Sequence, residues 1–218
     1  MASEIGADNV DVHKPKPAHT AKEFLFELLT VTIGILIALS LEALVEQYRT
    51  HRLVDYTRAD FKSEIEHNRS KLMVDLRTSR VTQENLERVM SVAQDRLDHK
   101  EPASDTDINL SRTFVLLRSA AWSSALSTQV MGHFPHAEGR AIAEAYSDQE
   151  EFSATESAAQ QAWFALAGYA AHTKGLTDSE VRQGLRDAAT SYAYLVTLED
   201  GERRLLATYD QTLKTVGR

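Results

Sequence analysis

Cysteine is missing from the chain. That excludes disulfides, thiolate nucleophiles and cysteine-based zinc sites, and it leaves the redox compartment open. Proline and glycine are scarce, 4 and 9 among 218 residues, while Ala, Glu, Leu and Arg abound; such a composition favours helix. No phosphate-cradling glycine loop, nucleophile elbow or Ser-x-x-Lys motif is present. Dense basic clusters are lacking too, and the formal net charge is −8. A general nucleic-acid surface is therefore not expected, and the acidic balance argues for solubility rather than for a partner. Alternating strand patterns bounded by turns do not occur, nor do repeats with a period of about 20 to 50 residues. With no catalytic, metal or cofactor motif, the expectation is a non-enzymatic protein without a cofactor.

What the chain does have is one long apolar run, FLFELLTVTIGILIALSLEALV at residues 24–45. Its only charges are Glu27 and Glu42. At about 1.5 Å per helical residue it reaches roughly 33 Å, enough to cross a hydrocarbon core of about 30 Å. The run reads as a transmembrane helix over residues 23–46. A polar, disordered tail over residues 1–22, carrying Lys14-Pro15-Lys16-Pro17, precedes it. Ala38-Leu39-Ser40 offers a small-x-small cleavage pattern, but apolar character continues through Leu41, Ala43, Leu44 and Val45, which favours an uncleaved anchor. Lysines near the membrane flank the run on its tail side, and Arg49, Arg52, Arg58 and Lys62 follow it on the other. A short lysine-bearing tail before a first anchor points to a cytoplasmic tail and a periplasmic domain.

Within the run, Thr30, Gly34, Ala38 and Glu42 stand four residues apart and share one helix face. Small residues at that spacing let helix backbones approach closely in a bilayer. This face is the candidate packing surface, toward a second copy or another membrane subunit. Glu42 is costly in hydrocarbon and belongs near the headgroups or against protein; lining a homo-oligomeric pore is the alternative.

After the run no Gly or Pro occurs until Pro102. Phe61, Ile65, Asn68, Leu72, Leu76, Ser79, Gln83, Leu86, Met90, Ala93 and Leu97 recur at steps of three and four, one face of a helix near the heptad period. The anchor is expected to continue as a long amphipathic helix to about Asp98. Residues 99–105 read as a loop, with Asp105 or Thr106 capping a second helix that runs to Gly132, with a bend near Ser119. Pro135 suits the first turn of a third helix ending at Gly175. Thr177 and Glu180 form a capping-box pattern for the last helix, which Gly201 is expected to loosen. The architecture is all-α: a transmembrane helix continuing into a long amphipathic helix, packed in a four- to five-helix bundle over residues 47–218.

Ligand constellations are thin. His133 and His136 flank a Phe-Pro turn, and His172 is a third candidate, but zinc needs three or four convergent ligands. Glu64 and His67 match a Glu-x-x-His spacing once, where a di-iron bundle needs it twice. The aromatic residues fall mostly at helical spacings and read as core; Trp122 and Trp163 are the place to look for a pocket.

The segments TVTIGILIALSLEALVE, EIEHNRSKL, AAWSSALSTQVMGHFP and AIAEAYSDQEEF resemble a widespread group of uncharacterised bacterial single-pass membrane proteins. In that group a Trp helix is followed by a Tyr-x-x-Gln helix, matched here by Trp122, Ala125, Tyr146 and Gln149. The resemblance implies one span of a bacterial inner membrane and a helical soluble domain, and no activity. Together these readings suggest an accessory or scaffold subunit, with the lipid bilayer and other membrane subunits or itself as partners. A membrane-tethered sensor that binds a small ligand is the alternative.

Overall fold

The computed structural model describes residues 20–99, 110–170 and 175–217. The tail through residue 19, the proposed caps Asp105 and Thr106, and His172 lie outside the described residues. The chain divides into two compact units, Met1–Arg49 and Thr50–Arg218.

All regular structure among the described residues is helical. Helix α1 runs without interruption over Ala21–Leu97. Its first turn is capped by Thr20, whose Oγ1 accepts the Glu23 N–H at 3.4 Å and. The apolar part of α1 is long and apolar enough to cross a membrane, and none of it is buried within the protein. Its hydroxyls find partners inside the helix: Thr30, Thr32 and Ser40 donate to the carbonyls of Phe26, Leu28 and Leu36 at 2.7–2.8 Å. Such back-bonding lets a polar side chain sit in a lipid-facing helix without an orphaned group.

In the second unit, α1 carries the expected stripe. Phe61, Ile65, Asn68, Leu72, Ser79 and Leu86 are buried, and Leu76, Gln83, Met90, Ala93 and Leu97 are half-buried. The helices that cover this stripe are α3, His136–Ala170, and α4, Asp178–Val216. The Pro135 carbonyl accepts the Gly139 N–H at 2.9 Å, so proline sits at the mouth of α3 as its fixed φ favours and. Gly175 has φ +83°, the left-handed conformation that glycine adopts without a Cβ clash and. Thr177 and Glu180 close a reciprocal capping box on α4. Two apolar clusters form the core. One gathers Phe61, Ile65 and Leu72 with Val130, Ile142, Tyr146, Leu205 and Tyr209. The other joins Leu86, Trp163, Leu166, Ala188 and Leu195. Each large apolar side chain so buried contributes roughly 1.5–3 kcal/mol.

Two expectations are corrected. The second helix does not extend back toward residue 106: residues 110–119 have no regular structure, and α2 is short, Ala120–Ser127. It is followed by a left-handed Gln129 and a 3-10 turn, Val130–His133. Over 110–119, buried side chains of α1 and α3 take backbone groups of Leu110, Val115 and Arg118 in place of helical hydrogen bonds. Gly201, expected to loosen the last helix, leaves α4 unbroken. A Cβ there would lie 3.2 Å from Phe152 Cδ2, so the glycine makes room for a ring of α3.

Candidate functional site

The residues that carry the resemblance meet in one place. Glu64 and Asn68 project from α1, Trp122 and Ala125 from α2, and Tyr146 and Gln149 from α3. The Trp122 and Tyr146 rings stack at 5.2 Å between centroids and 10° between planes, and Phe61 touches both from beneath. Tyr146 donates its hydroxyl to Glu64 Oε1 at 2.7 Å. The same carboxylate accepts the Ala121 N–H near the start of α2, at 3.1 and 3.2 Å. Burial, then the hydrogen bond and charge of Glu64, push the Tyr146 phenol far above its ordinary range and. Tyr146 is therefore a fixed neutral donor at any physiological pH.

Asn68 is fully buried, and its amide grips a single residue of the 110–119 segment from both sides. Asn68 Oδ1 accepts the Arg118 N–H at 2.9 Å, and Asn68 Nδ2 donates to the Arg118 carbonyl at 2.8 Å. Gln149 Nε2 donates to that carbonyl as well, at 2.9 Å. Gln149 Oε1 in turn accepts from Asn68 Nδ2 at 3.0 Å and from the Tyr209 hydroxyl at 2.5 Å. Asn68 thus does for Arg118 what a neighbouring strand would do. Further along, Trp163 Nε1 donates to the Leu110 carbonyl at 3.1 Å, and Glu156 Oε1 accepts the Val115 N–H. The segment is a strap, held by side chains where a strand would be held by backbone. Phe114 packs on both apolar clusters and ties them together.

Beside the strap lies a buried ionic cluster with one member from each surrounding element. Arg112, on the strap, has a side chain only 4% exposed and donates to Asp75 Oδ2 of α1 at 3.2 Å. Glu156 comes from α3 and Glu202 from α4, and both are buried. Glu202 neighbours the Asp75 carboxylate, and its Oε2 has no hydrogen-bond partner. Burial pushes Glu202 up to about 9, aided by the neighbouring Asp75 carboxylate and opposed by Arg112. Burial likewise pushes Glu156 up to about 7, against the Val115 N–H and Arg112.

Of the residues singled out from sequence, Thr30, Gly34, Ala38 and Glu42 are all exposed on α1. A Cβ added at Gly34 would meet open space. Trp122 and Trp163 are not brought together: Trp122 packs on the first cluster and Trp163 belongs to the second. A cleft of about 190 Å³ opens elsewhere, between α3 and α4, lined by Phe152, Thr155, Thr197, Gly201 and Arg204 among others. His133, on the 3-10 turn, and His136, at the first position of α3, are both exposed, and no group of three metal-ligating side chains occurs among the described residues. Glu64 is engaged by Tyr146 and Ala121, while His67 is half-buried on the same helix.

No family model, curated protein or solved structure matches this chain. The site is therefore read from its own geometry.

Sequence reasoning missed Asp75, Arg112, Glu156 and Glu202. A signal for the acids was nonetheless present. Asp75, Glu156 and Glu202 each fall seven residues after a buried member of the same helix, namely Asn68, Gln149 and Leu195. Each acid occupies a position where the rhythm calls for an apolar residue.

Proposed function

We propose that the protein is a membrane-anchored, non-catalytic accessory or scaffold subunit, which packs on a membrane complex or on its own copies through the Thr30, Gly34, Ala38 and Glu42 face. The observation that carries this reading is the anchor itself. Its hydroxyls are satisfied within the helix, and the space over Gly34 is open to a neighbouring backbone. In lipid, close packing and interhelical contacts replace the hydrophobic drive, and small residues provide the approach. The bundle supports the reading from the other side. Its buried polar side chains Asn68, Gln149, Glu156 and Trp163 hold its own strap. The group of bacterial single-pass proteins that the sequence resembles, with the bundle on the periplasmic face, fits the same picture.

The absence of native cysteine makes the test clean. Single substitutions Thr30→Cys, Ala38→Cys, Leu29→Cys and Leu36→Cys would each place one thiol in the anchor. Cross-linking in native membranes is expected at Thr30 and Ala38, to a second copy or to another subunit, and not at Leu29 and Leu36 on the far side. Equal cross-linking all round the helix, or none at any position, would remove the packing face.

A further inference from the structure

We infer that Asp75, Arg112, Glu156 and Glu202 form a proton-binding latch that holds the 110–119 strap against the helices at low and neutral pH and lets it go as the medium becomes alkaline. Three carboxylates surround one guanidinium, so full ionisation would leave two net negative charges enclosed among α1, α3, α4 and the strap. Exposure is 8% for Asp75, 8% for Glu156 and 1% for Glu202. Like charges cannot all ionise at such a site, and one arginine cannot offset three acids. Protons must make up the difference. Glu202 neighbours the Asp75 carboxylate, and two ionised carboxylates have no donor to share between them and. Glu202 Oε2 and Arg112 Nε are both buried without a hydrogen-bond partner, so the cluster is not fully satisfied in its closed form.

The strap is the element whose fastening depends on this cluster. Arg112 is its ionic contact with α1, and the Val115 N–H is its contact with Glu156 of α3. The groups facing Glu202 are Asp75 from α1, Arg112 from the strap and Glu156 from α3; those facing Glu156 are Asp75, Arg112 and the Val115 amide. Opening the strap admits water to Glu156 and Glu202 and lets them ionise. Both shifted acids lie above their unfolded value of 4.5, at about 7 and about 9. The stability they contribute is complete below the unfolded value and is lost as pH rises through the folded values. The window is thus neutral to mildly alkaline, with Glu156 giving up its proton first.

Hydrogen–deuterium exchange on the full chain in lipid nanodiscs reads this directly, at about pH 6 and about pH 9 with intrinsic exchange rates corrected. Peptides covering 110–119 are expected to lose about tenfold or more of their protection between the two conditions, while α3 peptides around Ile142 keep theirs. In Glu202→Gln, which mimics the protonated acid, that loss should shrink, and in Glu156→Gln the neutral part of it should disappear. Unchanged strap protection in the wild type would overturn the latch, as would a uniform loss across all helices. So would a full pH response retained in both variants. Should Glu202→Gln fail to fold, the wild-type comparison and Glu156→Gln still decide.

Discussion

Asn68 is the residue on which the strap most depends. Its amide pairs with both backbone groups of Arg118 and with Gln149, all away from water. Replacing it by Ala orphans a buried N–H and opens a void, each a recognised source of large destabilisation. Asn68→Ala is expected to cost about 2–4 kcal/mol in chemical denaturation of the solubilised protein. Tyr146→Phe keeps the ring stacked on Trp122 and removes the donor to Glu64, so a smaller loss of about 1–2 kcal/mol is expected in the same assay. Two variants of equal, negligible effect would show that this polar cluster does not hold the fold. At this scale the sequence was half legible. Phe61, Ile65 and Leu72 announced themselves by hydrophobic rhythm. Asp75, Glu156 and Glu202 kept the same rhythm but read as surface charges, because an acid on a helix is usually solvated, and Glu64 stood out only for a lone Glu-x-x-His spacing. Only the elements packed around them, brought in from distant parts of the chain, make them internal.

Among the elements, α4 and its entry are the clearest from sequence, and the strap is the least clear. The Thr177–Glu180 box and Gly175 sit within a few residues of one another, so local chemistry alone specifies them. Thr177→Ala should cost about 1 kcal/mol through the lost cap. Gly175→Ala, at φ +83°, should cost a further 1 kcal/mol or so through left-handed strain. Thermal melts of the two single variants and the double variant check both, and a double variant no weaker than wild type would contradict the assignment. The strap was misread as helix for a physical reason. Leu110, Phe114 and Leu117 imitate a helical stripe, while the groups that override helix formation, Asn68, Gln149, Glu156 and Trp163, lie dozens of residues away. β-branched Thr113 and Val115 were the local hint, and it is a weak one. The acid cluster also sets a pH dependence for the whole bundle. Because Glu156 and Glu202 are shifted upward, the melting temperature should be higher at about pH 6 than at about pH 9. A melting temperature that rises over that interval would contradict the burial of these acids in protonated form.

For the molecule as a whole, an apolar helix long enough for a bilayer and an α-helical bundle occur in one chain, as composition and periodicity suggested. The scaffold proposal is a claim about association, and association is measured directly by mass. Gentle extraction of the full chain from native membranes, followed by native mass analysis, should return an assembly heavier than the 24.3 kDa chain. Gly34→Ile, which fills the open face of the anchor, should reduce that assembly toward the single chain while leaving the bundle folded by circular dichroism. A wild-type protein that leaves the membrane as a lone chain, with no copy or subunit bound, would contradict the account.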